Sequence, residues 1–305
     1  MAANDESHVD KQGISLEAWQ ADGQYFPHRG QRIFYRHARR EGAPALLLIH
    51  GFPTASWDWN YLWEPLSTHF ELLAPDLIGY GFSAKPADYA YSILDQADLC
   101  EELVLRHGAT RYHILAHDYG DTVAQELLAR AHDGSQRAEL ASVCFLNGGL
   151  FPEAHRPRLM QRLLQSALGP WIARRIDRPR FARSLKAVFG RQTPPSRKEI
   201  ENFWLLLTEE DGVAALPHLI GYMEERRRYR ARWVGALTKL PRRQLPLRLI
   251  DGADDPVSGR HMAARYRSLV PDADIVLLHG IGHYPQIEAP DAVQRAFLAF
   301  HRIDA

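Results

Sequence analysis

A strand, a sharp turn and a helix follow one another in the first half of the chain, and this succession constrains the fold more than any other feature. Residues 112–115 are a short, largely apolar run, and residues 122–128 carry apolar side chains at helical spacing. Between them, the pentapeptide AHDYG places Ala116 and Gly120 two positions on either side of Asp118. Small residues there let a strand turn abruptly into a helix and lift the central side chain above the sheet, as in a nucleophile elbow. The alternative is that Asp118 only caps the following helix.

A second strand signal favours the nucleophile interpretation. Residues 45–49 form a continuous apolar run, which is typical of a parallel strand buried on both faces. The tetrapeptide HGFP follows directly at residues 50–53. A strand that ends in His-Gly-x-Pro is where folds with a nucleophile elbow build an oxyanion hole. The segment therefore weighs against a capping role for Asp118.

An acid and a histidine follow the later strand signals. Asp255 comes shortly after the apolar run at 247–250, and His283 follows the last strand signal. Together with the elbow, the order along the chain is nucleophile, acid and histidine, as in triads built on this kind of turn. Asp251 and Asp254 lie nearby and remain competing candidates for the acid.

These motifs together resemble the α/β-hydrolase superfamily, in the branch of epoxide hydrolases and haloalkane dehalogenases that use an aspartate nucleophile. The resemblance covers nearly the whole chain and extends to segments outside the motifs, such as NGGLFPEAHRP at 147–157 and RWVGAL at 232–237. It implies an α/β-hydrolase fold, with a mostly parallel central sheet, helices on both faces and an inserted helical cap. The implied domains are a core at 1–149 and 240–305 and a cap at 150–239.

The resemblance also implies the roles of individual residues. The triad would be Asp118, Asp255 and His283, because the acid of this family directly precedes a Pro-Val pair. Backbone N–H groups of Phe52 and Tyr119 would form the oxyanion hole. His283 would activate water to break an alkyl ester formed on Asp118.

The residues near the nucleophile bear on the leaving group. Dehalogenases of this branch typically carry Trp after the nucleophile, whereas this chain has Tyr119, which disfavours a halide. An epoxide needs an acid for its oxygen, and epoxide hydrolases use cap tyrosines for this purpose. Tyr222 and Tyr229 are the candidates, on one helix face if the helix is unbroken; the alternative is that both are packing residues. Epoxide hydrolysis is therefore the leading hypothesis, with a haloalkane dehalogenase-like hydrolase or a non-catalytic binding protein as alternatives.

Arginine is dense in and just beyond the expected cap, including the runs 174–175, 226–228 and 242–243. We expect these arginines to form solvated helix faces that pair with nearby glutamates. The alternative is a docking surface for membrane lipid or an acidic partner.

Composition fits a single enzyme. A chain of 305 residues with 46% apolar content can bury a large core, and its formal net charge of zero argues against a nucleic-acid partner. Cys100 and Cys144 lie in core-like stretches and are expected to be reduced, with no metal and no cofactor. The absence of a signal segment or apolar span predicts a cytoplasmic location without membrane association. The expected partners are a small apolar electrophile and water, while the oligomeric state stays open.

Overall fold

The structure, a computed structural model, describes residues 12–239 and 245–303. Arg242, Arg243 and residues 1–11 lie outside this part. One sheet contains eight strands: β1 (Gln24–His28), β2 (Gln31–Ala38), β3 (Ala45–Ile49), β4 (Glu71–Pro75), β5 (Arg111–His117), β6 (Glu139–Leu146), β7 (Leu247–Gly252) and β8 (Asp274–Leu278). Their spatial order is β1-β2-β4-β3-β5-β6-β7-β8, with β2 antiparallel to both neighbours and every other pair parallel. The predicted α/β-hydrolase fold is thereby confirmed.

Helices connect these strands. The α-helices are α1 (Leu16–Ala21), α2 (Trp63–Ser67), α3 (Ile93–Arg106), α4 (Tyr119–Asp133), α5 (Leu159–Leu164), α6 (Gly169–Ala173), α7 (Arg178–Lys186), α8 (Arg197–Thr208), α9 (Gly212–Leu219), α10 (Tyr222–Arg228), α11 (Arg230–Lys239), α12 (Arg260–Leu269), α13 (Pro285–Glu288) and α14 (Pro290–Phe300), with short 3-10 helices at Ser56–Trp59 and Glu209–Asp211. Helices α5 to α11 all lie between β6 and β7 in the chain, so the insertion is helical throughout its regular structure.

The order of the strands brings two of the predicted motifs together. Strand β3 lies between β4 and β5, so the direction of strand progression reverses on either side of it. The register pairs Ile49, the last residue of β3, with Ala116 near the end of β5. In open α/β sheets, ligands bind in the crevice at the carboxyl ends of the strands at such a reversal. The HGFP turn and the AHDYG turn therefore lie side by side where a site is expected.

A buried carboxylate fastens the end of the helical insertion to the core. Glu126 on α4 accepts hydrogen bonds from Arg232 Nε and Trp233 Nε1 of α11, each at 2.8 Å, and from Arg130 Nε at 3.0 Å. Both Glu126 and Trp233 are buried. Removing one side of a buried charged cluster is strongly destabilising because it leaves the other charge unpaired. The insertion is thus held against α4, the helix that begins directly after Asp118.

Two smaller observations complete the fold. Cys100 and Cys144 are buried free thiols, as the sequence predicts. Among the described helices, none has the combination of length and apolar character that crossing a bilayer requires.

Candidate active site

The turn between β5 and α4 has the geometry of a nucleophile elbow. Asp118 has φ 47° and ψ −101°, a strained conformation for a residue with a side chain. Its carboxylate makes no capping hydrogen bond to α4, although Asp118 occupies the N-cap position. A Cβ at Gly120 would lie 2.4 Å from the carbonyl oxygen of Ile49, so only glycine permits α4 to approach β3 this closely. The side chain of Asp118 is therefore free for chemistry rather than engaged as a cap.

One carboxylate oxygen of Asp118 lies at the HGFP turn. Phe52 N–H donates to Asp118 Oδ2 at 3.2 Å, which is where the predicted oxyanion hole requires a donor. Tyr119 is the first residue of α4, a position at which the backbone N–H has no acceptor within the helix. The Tyr119 ring itself is buried and packs against Tyr80 and Tyr222, with centroid distances of 5.4 and 5.0 Å.

The predicted acid and histidine lie together beside this turn. His283 Nδ1 is 2.8 Å from Asp255 Oδ2, and His283 Nε2 is 3.9 Å from Asp118 Oδ2. All three residues are buried. The competing acids lie elsewhere: Asp254 is half-exposed and pairs with Arg260 at 3.4 Å, whereas Asp251 is buried without contacting His283 through a hydrogen bond in the described structure.

Neighbouring groups hold Asp255 in place. Its carboxylate accepts hydrogen bonds from Val257 N–H at 2.7 Å, from Ser258 Oγ at 2.9 Å and from Asn147 Nδ2 at 3.0 Å. Asn147 directly follows β6, and its amide holds the carboxylate of Asp255, which is supplied after β7. In the sequence, the only indication of this role was that Asn147 directly follows a predicted strand.

His117 has a positioning role that the sequence analysis missed. Its Nε2 lies 2.7 Å from the carbonyl oxygen of His283, so this nitrogen donates and the ring fixes the loop that carries His283. Only its place beside the nucleophile in AHDYG pointed to it.

The charges of the site depend on one another. Burial alone would raise the pKa of Asp118, but the positive charges of His283 and Arg226 outweigh this and hold it far below its usual range. Burial disfavours a charged His283, yet the carboxylates of Asp255 and Asp118 raise its pKa well above the ordinary value. The resting site therefore pairs a nucleophilic carboxylate with an imidazolium.

Arg226 is the main residue that the sequence analysis misplaced. We expected it on a solvated helix face, but it is 2% exposed. Its Nη2 donates to the carbonyl oxygen of Asp118 at 3.1 Å and lies 3.7 Å from Asp118 Oδ1, while its Nε donates to Thr122 Oγ1 at 2.7 Å. A Cβ at Gly149 would lie 2.2 Å from Arg226 Nη1, so glycine makes room for the guanidinium. Arg226 thus brings a positive charge from the insertion to the nucleophile.

The structure separates the two candidate tyrosines. Helix α10 ends at Arg228 and Tyr229 is its C-cap residue, so the two tyrosines do not lie on one unbroken helix. Tyr229 packs on Trp233, with ring centroids 5.2 Å apart. Tyr222 is buried against the nucleophile turn: Arg226 Cζ lies 4.5 Å from its ring centroid, and the Phe52 ring lies at 6.0 Å.

The Tyr222 hydroxyl belongs to the same group of charges. It is buried and makes no hydrogen bond within 3.5 Å in the described part of the chain. Burial and the negative charge of Asp118 raise the pKa of this phenol, whereas Arg226 and Gln161 oppose the rise. Tyr222 is therefore a neutral phenol that can donate its proton, positioned next to both Asp118 and Arg226.

An apolar cavity of about 330 Å³ reaches the site at Phe52 and His283. Phe52, His283 and Tyr284 line one part of it, and the remainder comes mainly from the insertion. Gln161, which lies near the Tyr222 hydroxyl, is one of its few polar lining residues. A cavity of this size and character suits a small or medium-sized apolar molecule.

One cluster of side chains in the described chain has spacing suited to a metal: His37, Glu71 and His107. It lies where β4 begins and α3 ends, and it contains no triad residue. His37 Nε2 contacts Glu71 Oε1 at 2.7 Å and the two histidine rings pack at 4.1 Å, which accounts for the cluster without an ion.

The fold and the site define an α/β hydrolase, and comparison with known proteins agrees. The alpha/beta hydrolase family matches residues 46–296, so the chain belongs to this family. It is 40% identical over 296 residues to the mesoderm-specific transcript homolog protein of Bos taurus, covering 94% of this chain and 88% of that protein. It is 37% identical over 286 residues to the putative hydrolase LipZ of Mycobacterium tuberculosis, covering 93% and 97% of the two chains.

Solved structures share the fold. The epoxide hydrolase CorEH aligns with a TM-score of 0.75 and 19% identity, covering 92% of this chain and 98% of its own. The haloalkane dehalogenase DbeA from Bradyrhizobium elkani aligns with a TM-score of 0.73 and 23% identity, covering 91% and 96%. The predicted superfamily is confirmed, and solved structures of an epoxide hydrolase and of a haloalkane dehalogenase share its fold.

Replacement of Asp118 by Asn tests the coupling between the nucleophile and His283. Because the amide is neutral, it removes one of the two carboxylates that favour the imidazolium, so the pKa of His283 should fall in Asp118→Asn. The measurement is an NMR titration of the histidine rings, with Asp254→Asn as the control because Asp254 pairs with Arg260 instead. An unchanged His283 pKa in Asp118→Asn would contradict the coupling.

Proposed function

We propose that this hydrolase converts an apolar epoxide to a diol through an alkyl ester of Asp118. The observation that carries the proposal is the environment of the two oxygens of that carboxylate. Oδ2 accepts the Phe52 N–H, while Oδ1 lies 3.7 Å from Nη2 of Arg226, whose guanidinium also contacts the Tyr222 ring. A nucleophile, a hydrolytic base and an acid for the leaving oxygen are therefore available within one buried group.

The first step forms the ester. Asp118 Oδ1 attacks an epoxide carbon, and the electrons of the breaking C–O bond pass to the epoxide oxygen. That oxygen takes the phenolic proton of Tyr222 and becomes the first hydroxyl of the product. As Asp118 is esterified, its negative charge disappears, so the part of the rise in the Tyr222 pKa that came from Asp118 is lost. The acid thus becomes stronger as its proton is needed.

Arg226 supports the same step electrostatically. In the resting site the charges of Asp118 and Asp255 are balanced by those of His283 and Arg226. Burial raises the pKa of two further buried carboxyls, Asp121 and Asp251, well above the ordinary value, which favours their neutral forms. When Asp118 becomes an ester, Arg226 lacks its partner and stabilises the negative charge that moves onto the leaving oxygen and Tyr222.

The second step breaks the ester with water. Loss of the Asp118 charge lowers the pKa of His283, whose proton returns to the Tyr222 phenolate by way of solvent. Neutral His283, held by Asp255, then deprotonates a water that attacks Cγ of Asp118, while the Phe52 N–H stabilises the oxyanion. The intermediate expels the diol oxygen, which takes the proton of the new carboxylic acid. Asp118 carboxylate and His283 imidazolium are restored.

A second candidate is hydrolysis of a carbon–halogen bond. Arg226 favours it, because a buried guanidinium beside the nucleophile can stabilise a departing halide without the indole donors that typical dehalogenases use. Release of halide from haloalkanes, without turnover of any epoxide, would support this candidate over the first.

Labelled water tests the ester. With enzyme in excess over an apolar epoxide in H₂¹⁸O, a single turnover should place label in the peptide containing Asp118 and none in the diol, because the product receives an oxygen of Asp118. Mass spectrometry of the digested protein and of the product measures both. Label in the diol after the first turnover would show direct attack by water instead.

Tyr222→Phe tests the acid. Loss of a positioned proton donor should slow ester formation by about 10² to 10⁴ in a rapid-mixing single-turnover assay. Tyr229→Phe is the matched control, because its ring packs on Trp233, and its rate should stay close to wild type. Equal rates for the two variants would remove Tyr222 from the mechanism.

Arg226→Met tests the electrostatic contribution. Loss of the charge beside the developing anion should slow ester formation by roughly 10² to 10³, with partial recovery in Arg226→Lys. Arg227→Met is the control, because Arg227 is exposed and pairs with Glu224. Thermal melting establishes that each variant folds, and a folded Arg226→Met with the wild-type rate would contradict the assignment.

A further inference from the structure

The first part of the insertion has a large excess of positive charge. Residues 156–186 contain nine basic residues and a single acidic one, Asp177, in a chain whose formal net charge is zero. All nine cationic side chains are exposed: Arg156, Arg158, Arg162, Arg174, Arg175, Arg178, Arg180, Arg183 and Lys186. In the described structure, ion pairs within 4 Å involve two of them, Arg178 with Glu201 and Arg180 with Asp177. Most of this positive charge is therefore available to an outside partner.

The same segment exposes large apolar side chains. Leu159, Leu168 and Trp171 are 72%, 63% and 56% exposed, and Leu163 is 37% exposed. Arg175 Cζ lies 3.3 Å from the Trp171 ring centroid, so the apolar and cationic groups are interleaved. We call these four apolar residues and nine cations, all exposed within residues 156–186, the cap patch. Leucine and tryptophan among arginines form the composition of helices that lie in a membrane interface.

The cap patch is continuous with the cavity. Leu159 and Leu163 line the cavity and are also exposed. Twelve of the nineteen residues that line the cavity fall within residues 158–188, the stretch that carries the patch. If the cap patch touches an apolar phase, a molecule can pass from that phase into the cavity along apolar side chains.

We infer that the cap patch docks the protein on the surface of a bilayer containing anionic lipid. The arginines complement lipid phosphates and anionic headgroups, and the leucine and tryptophan side chains enter the acyl boundary. A second copy of the chain is a poorer occupant, because a symmetric pairing sets the same basic patches against each other. A folded protein partner covering the patch would also obstruct the cavity, whereas a bilayer is the phase in which apolar substrates accumulate.

This inference goes beyond the proposed function and departs from the sequence expectation of no membrane association. It requires contact with one leaflet only, which agrees with the lack of a spanning helix among the described helices. Binding to lipid needs no chemistry at Asp118, so Asp118→Asn should bind as the wild type does. The inference and the ester mechanism can therefore fail separately.

Vesicle flotation of the full chain tests the inference. Vesicles of phosphatidylcholine mixed with phosphatidylglycerol should bind the wild type, vesicles of phosphatidylcholine alone should bind at least about tenfold more weakly, and added salt should weaken the first interaction. Leu168→Ser with Trp171→Ser, and separately Arg174→Glu with Arg175→Glu, should each reduce binding at least about tenfold. None of these four residues lines the cavity.

Tyr25→Ser is the matched control. Tyr25 is 42% exposed and stacks with Arg32 at 4.2 Å, much as Trp171 does with Arg175, but it lies on β1 outside the patch. Its binding should equal that of the wild type. Energy transfer from tryptophan to a dansyl lipid should fall in Trp171→Phe, which identifies the side chain at the membrane.

Three results would overturn the inference. The first is no binding of the wild type to anionic vesicles, and the second is equal binding by the patch variants. The third is a solution dimer, seen by light scattering, that the Leu168→Ser, Trp171→Ser variant dissociates; this would assign the patch to a second copy. In the first case, binding to polyglutamate would indicate an acidic protein partner instead of the membrane.

Discussion

A buried carboxylate must remain charged in this protein, and much of the surrounding structure serves that requirement. Asp118 lies in an enclosed site where burial alone favours the neutral acid, which is a poor nucleophile. Two cations oppose this effect: His283, which comes from the loop after β8, and Arg226, which comes from the helical insertion. The elbow presents the carboxylate, Gly149 admits the guanidinium, and Asn147 and His117 hold the acid and the histidine loop. Each of these features has a clear purpose once the charge on Asp118 is recognised.

Because Arg226 comes from the helical insertion, the insertion contributes a charge to the surroundings of Asp118 as well as covering them. Arg226 hydrogen-bonds to the Asp118 carbonyl and to Thr122 on α4, and Glu126 on the same helix binds Arg232 and Trp233. Helix α4, which begins directly after Asp118, therefore binds the insertion at two positions: Thr122 contacts α10, and Glu126 contacts α11. A shift of α10 relative to α4 would change the charge balance at Asp118 as well as the shape of the cavity, so substrate entry and nucleophile activation are physically linked.

The sequence predicted the features that depend on local geometry or on the order of groups along the chain. AHDYG indicated the elbow because small residues are required on both sides of the turn, and the buried strand patterns gave the sheet that brings Phe52, Asp255 and His283 near it. The sequence could not distinguish Arg226 from Arg227 and Arg228. Which of three consecutive arginines faces the core depends on how α10 is oriented against it. Whether the helix continues past Tyr229 stayed open for a similar reason, because residues 222–239 contain no proline that would mark the end of α10.

The insertion uses arginine in two physically different ways. At residue 226 a single guanidinium is desolvated, and its cost is offset by specific acceptors on the nucleophile turn. Across residues 156–186 the cations stay hydrated and lie beside exposed leucine and tryptophan, where they gain little from contacts within the chain. Such an arrangement has no evident benefit for folding, because exposed apolar area and unpaired like charge both disfavour an isolated surface. A partner that is anionic at its surface and apolar beneath would compensate for both, and it would deliver apolar molecules to the cavity that His283 lines.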